Sequence, residues 1–105
     1  MSFRVKLSAD AIADLDRLFD FILERELARD DGDLTLAQRA IDATTDALDR
    51  LRRSPFIYRR AGTGPFLREL LIPFGGSGYV SLFEIEDAST VTILAVRQEL
   101  EDDYH

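Results

Sequence analysis

The chain has no cysteine, and its single histidine is the last residue, His105. The first absence excludes disulfides and thiolate metal sites, so the fold must rest on packing alone. The second excludes a zinc site or a serine–histidine triad, because a histidine at a chain end lacks the packed frame such chemistry needs. No apolar run approaches the ~20 residues of a membrane span, and no signal-peptide pattern opens the sequence. The expected location is therefore cytoplasmic, with no membrane partner. A phosphate-binding loop and a paired-carboxylate site are also missing, so no cofactor and no metal are expected.

What remains is an ordinary soluble composition in 105 residues, 46% hydrophobic and 31% charged. That length suits one domain with one core, spanning 1–105. The net charge of −7 hides a partition. Residues 1–49 and 69–105 are strongly acidic, whereas Arg50, Arg52, Arg53, Arg59, Arg60 and Arg68 lie in a segment with no acid at all. The global field repels nucleic acid at long range, so direct nucleic-acid binding is not expected, while the arginine segment can hold an acidic partner locally. Arg50, Arg52 and Arg53 also suit the negative end of a helix dipole, and both readings stand.

Phe3, Val5 and Leu7 alternate with Arg4 and Lys6, the period of a half-buried strand. Ser8 offers an N-cap, and Asp10 puts a negative charge in the first helical turn. Ile12, Leu15, Phe19, Ile22 and Leu23 then recur at helical spacing, and Leu18, Phe21 and Leu27 widen the stripe. Asp30-Asp-Gly-Asp breaks this helix. A second runs from about Asp33 or Thr35 to Arg53, with Leu36, Ala37, Ala40, Ile41, Thr44, Leu48 and Leu51 on one face; its small residues permit a close helical hairpin. Pro55 stops it, and two prolines and two glycines make 55–65 a loop. Strands follow at about 66–73, 79–86 and 90–97, joined by Phe74-Gly-Gly-Ser-Gly and Asp87-Ala-Ser. The order predicts an α+β domain, β-α-α-β-β-β, with the hairpin packed on a mainly antiparallel four-stranded sheet and a flexible tail at 98–105.

Several pieces of this sequence, taken together, resemble the RelE/ParE toxin superfamily of type II toxin–antitoxin pairs. They are Ala9-Asp-Ala-Ile-Ala-Asp-Leu, Leu48-Asp-Arg-Leu-Arg-Arg-Ser-Pro, Leu67-Arg-Glu-Leu, Gly78-Tyr79, Ile93-Leu-Ala-Val and Asp103-Tyr104. The nearer likeness is to the ParE or plasmid-stabilisation branch.

The resemblance implies one of two activities. RelE-like members cleave messenger RNA on the ribosome without a metal, using basic residues and a tyrosine. ParE-like members bind and inhibit DNA gyrase. RelE-like enzymes commonly place arginines where this chain has Val80 and Glu99, leaving Arg68 and Tyr104 as the catalytic candidates of a ribonuclease. The gyrase-binding reading therefore leads, with no catalytic residues. The ribonuclease, and a member that binds an antitoxin without being toxic, are the alternatives.

Candidate target contacts are Arg59, Arg60, Arg68, Tyr79 and Arg97. Tyr79 has a structural alternative at a strand start with its hydroxyl at the surface, and Arg68 one paired with Glu84 or Glu86. The resemblance also implies a cognate ParD-like antitoxin, with Leu18, Phe21 and Leu27 as candidate contacts. Its contacting segment is expected to be basic, to suit an acidic toxin.

Overall fold

The computed structural model describes residues 2–98. The expected tail and Tyr104 lie outside them, apart from Gln98, which closes the last strand. Strand β1 (Arg4–Leu7) leads into helix α1 (Ala9–Leu27), and helix α2 (Leu36–Asp49) continues as 3-10 turns at Arg50–Arg52 and Pro55–Ile57. Strands β2 (Arg59–Arg60), β3 (Leu67–Phe74), β4 (Ser77–Asp87) and β5 (Thr90–Gln98) complete the order. Five strands are present where four were expected. Two residues of the proline- and glycine-bearing loop pair with β3, Arg59 opposite Glu69 and Arg60 opposite Arg68.

The sheet order is β1-β5-β4-β3-β2. The first strand lies parallel to the last, with Leu7 opposite Ile93, and every other pairing is antiparallel. Gly75 sits at φ 60° in the turn that brings Phe74 opposite Ser77. Glycine takes that value without a Cβ clash.

Both helices pack on one face of the sheet. The Ser8 side chain accepts the Ala11 amide at 3.0 Å as N-cap and its hydroxyl donates to Leu94 O at 3.3 Å, so one residue starts α1 and ties it to β5. The buried stripe of α1 is Ala11, Leu18, Ile22 and Glu26, with Leu15, Phe19 and Leu23 half-buried. Ile12, expected to face inward, is 48% exposed because the helix is turned so that Ala11 takes the tight position. On α2 the buried face is Ala37, Ala40, Thr44, Ala47 and Leu48, as the small-residue pattern predicts. Thr44 donates to Ala40 O at 2.9 Å, which satisfies its hydroxyl inside the core.

Phe83 lies at the centre with no exposure, among Leu51, Leu70, Val91 and Ile93. Burying a side chain of that size stabilises by about 1.5–3 kcal/mol. No helix among the described residues is long and apolar enough to cross a membrane.

Candidate functional site

The second face of the sheet carries no helix. β4 turns Tyr79, Ser81, Phe83 and Ile85 inward, and so presents Val80, Leu82 and Glu84 outward. On β5 this alternation is broken by a bulge. Leu82 faces Ala95 while Phe83 faces Ile93, so Leu94 is the extra residue. In an unbroken strand Ile93, Ala95 and Arg97 would share one face. Here Ile93 and Val96 are both buried, and Ala95 and Arg97 pass to the open face, opposite Leu82 and Val80.

Asp14 supports the bulge from α1. Its Oδ2 accepts the Val96 amide at 2.9 Å, and its Oδ1 pairs with Arg17. Between α1 and β5 runs a cleft of about 430 Å³, floored by Leu18 and Val96 and bordered by Phe21, Arg17 and Arg97. Arg97 stands where the cleft meets the open face, exposed and without an ion pair among the described residues.

The five candidate target contacts do not converge. Arg97 lies on β5, and Arg59 and Arg60 lie three strands away on β2, roughly 14 Å by ordinary strand spacing. Arg59 is held by Glu69 at 2.8 Å, while Arg60 is exposed. Tyr79 is 5% exposed and stacks on Phe74 with centroids 6.0 Å apart. Burial pushes its phenol pKa up, with Arg25 pulling weakly the other way. Its ring is core, not contact surface.

Arg68 is not paired with Glu84 or Glu86. Its Nη1 donates to Phe56 O at 2.9 Å and Tyr58 O at 2.8 Å, and its Nε donates to Pro65 O at 2.8 Å. Glu86 instead meets Lys6 at 3.8 Å and accepts the Thr92 hydroxyl. Arg68 thus spends its donors folding its own corner of the chain, which leaves few for a phosphate.

Of the candidate antitoxin contacts, Phe21 and Leu27 are exposed on α1, with the Arg25 guanidinium 5.7 Å from the Phe21 ring centroid. Leu18 is buried and reaches the cleft only as floor. Sequence reasoning missed Phe56, Ile57 and Phe66, which are large, apolar and exposed. Phe56 and Ile57 follow a helix-breaking proline, where hydrophobic periodicity gives no signal, and Phe66 opens a predicted strand whose parity places it with the core.

Residues 5–103 match the family described as "ParE toxin of type II toxin-antitoxin system, parDE". The chain belongs to the ParE toxin family. The toxin is also 33% identical over 89 residues to Toxin RelE1 of Caulobacter vibrioides, covering 85% of this chain and 86% of that protein. Its fold is that of a solved structure titled "Chromosomal ParDE TA system from P. aeruginosa", with a TM-score of 0.69 at 17% identity, over 92% of this chain and 96% of the other.

Proposed function

We propose that this toxin acts by binding, that its target is DNA gyrase in the cytoplasm, and that a ParD-like antitoxin neutralises it by occupying the α1–β5 cleft and the exposed Phe21 and Leu27. The observation that carries the binding mode is the chemistry of the open sheet face. Val80, Leu82 and Ala95 occupy its middle, the Arg59–Glu69 pair closes one side, and Arg97, exposed and without an ion pair among the described residues, lies on the other. Cleaving a phosphodiester needs a proton acceptor, a proton donor and charge stabilisation around one phosphate. An apolar floor bordered by Arg97 and by an Arg59 already paired with Glu69 supports contact with a protein surface better than that reaction.

The likeness to a relative named RelE1 keeps RNA cleavage as the second reading, in which Arg97 would meet the phosphate. The test is a gyrase supercoiling reaction with purified toxin, run beside an in vitro translation reaction probed for cut message. Inhibited supercoiling with intact message is expected. Intact supercoiling with cut message would install the ribonuclease instead. Growth that continues when the toxin is expressed without a partner would identify a member that binds its antitoxin and poisons nothing.

A further inference from the structure

Beyond the cleft and the open face, one corner of the molecule exposes apolar side chains in a fixed arrangement. The 3-10 turn Pro55–Ile57 and the residue just before β3 bring Phe56 and Phe66 edge to face, with centroids 6.4 Å apart. The Arg68 guanidinium lies 5.2 Å from the Phe56 ring centroid and at the same time binds three carbonyls on both sides of the corner. Tyr58, next along the chain, packs inward against Phe83 at 6.1 Å. The corner is anchored to the core from below and locked by Arg68 from the side. Ile57 nevertheless stands 74% exposed, and Phe56 and Phe66 about half.

Leaving three large apolar groups in water costs free energy, and rigid aromatic anchors beside arginine are what interface centres are made of. The surrounding charge says what they meet. No acid occurs between Arg50 and Arg68. Arg53 and Arg60 bracket the patch along the chain, exposed and without ion pairs among the described residues. We infer that this corner is a second surface, beside the open face, by which the toxin grips its target, and that the target presents an acidic polypeptide segment with apolar side chains among its carboxylates. The assignment to the target rests on the binding mode proposed above.

Nucleic acid fits the corner less well. Ile57 has no flat face on which a base could stack, Arg68 has committed its Nε and Nη1 donors, and the net charge of −7 opposes a polyanion at long range. An acidic protein segment meets the same repulsion but brings apolar groups to cover Ile57 and the two rings.

The test uses the purified toxin and three fluorescent probes: a short peptide alternating glutamate with leucine and phenylalanine, its lysine counterpart, and a single-stranded RNA. Anisotropy should show binding of the acidic peptide alone. Ile57→Asp and Arg60→Glu should each weaken it at least about tenfold, as loss of an interface anchor does. Both side chains are exposed, so unchanged thermal melts will show that the variants fold. Preference for RNA would overturn the inference, as would peptide affinity indifferent to both substitutions. Self-association that disappears with Ile57→Asp would give the corner to a second copy of the chain and overturn it too.

The same variants then enter the supercoiling assay. A wild-type toxin that leaves gyrase untouched while the peptide result holds defeats the gyrase target and spares the corner. Gyrase inhibition that survives Ile57→Asp does the reverse.

Discussion

The Asp14 carboxylate, in the second turn of α1, accepts the Val96 amide at 2.9 Å across 82 residues of sequence. This bond does two things at once. It satisfies an amide released where the β5 bulge interrupts the ladder, and it holds the strand in the phase that sends Arg97 to the open face. Replacing Asp14 by Ala should lower unfolding stability by about 1–3 kcal/mol, the cost of stranding a partly buried donor. Asp14→Asn keeps an acceptor and should cost less. Equal urea midpoints for Ala, Asn and wild type would show that the bulge needs no support from the helix.

Arg97 itself should behave in the opposite way. It is exposed and unpaired among the described residues, so Arg97→Ala should change stability by no more than about 0.5 kcal/mol. Growth arrest on expression is the sensitive measurement. Full arrest by a normally folded Arg97→Ala protein would remove the open face from the mechanism.

Arg68 should be chiefly structural. Arg68→Ala frees the carbonyls of Phe56, Tyr58 and Pro65 together and should cost about 1.5–3 kcal/mol, seen as a fall of several degrees in melting temperature. Lysine cannot reproduce the planar fork, so Arg68→Lys should recover only part of the loss. An unchanged melt with lost toxicity would mark Arg68 as a contact residue in its own right.

The turn between the helices should make the fold sensitive to acid. Glu26 is buried, and its carboxylate accepts the Asp33 amide at 3.0 Å with Arg25 and Arg29 beside it. The Asp33 amide is the main reason its pKa lies below the ordinary glutamate value, and the two arginines add to it. A lowered carboxylate pKa means stability fully present above the unfolded-state value and lost as pH falls through the folded one. Asp33 and Asp87, lowered chiefly by bonds from Thr35 and Ser89, act in the same direction. Melting temperature should therefore drop through the acid range, and Glu26→Gln should flatten that limb. An acid limb identical in the variant would show that Glu26 takes no part.

Gly32 belongs to the same turn. A Cβ there would lie 1.8 Å from the Glu26 carbonyl oxygen, a backbone atom that cannot swing aside. Gly32→Ala should cost about 1–3 kcal/mol or more through the shift it forces. A neutral denaturation curve would mean that the turn relaxes freely.

The helices and the succession of strands along the chain were legible because they rest on period, as does the small-residue face of α2, whereas Tyr79, a candidate contact by sequence, proved to be core. Reading α1 from its largest residues misplaced Ile12, since a close approach to the sheet selects Ala11 for being small. The β5 bulge left no mark in Thr90–Val96, where apolar residues satisfy either face. Glu26 reads as one more solvated acid until the turn folds back to bring the Asp33 amide to it. Arg59 and Arg60 announced their charge but not their strand, because a two-residue edge strand has no period to detect. A structural role for Arg68 was legible from its strand parity, but with Glu84 or Glu86 as partner; only tertiary structure supplies the three carbonyls it serves.

The parallel pairing of β1 with β5 sets when the complete sheet can first exist. A chain made from its N-terminus holds its opening strand without a neighbour until Thr90 to Ile93 have been synthesised, and the bulge that aims Arg97 comes after them. Pairings this distant in sequence close late in folding. A translation product that stops before Thr90 therefore cannot close this sheet or form the bulge that aims Arg97. At ordinary rates of synthesis, about 5–20 residues per second, several seconds pass on each ribosome before the opening strand can find its partner.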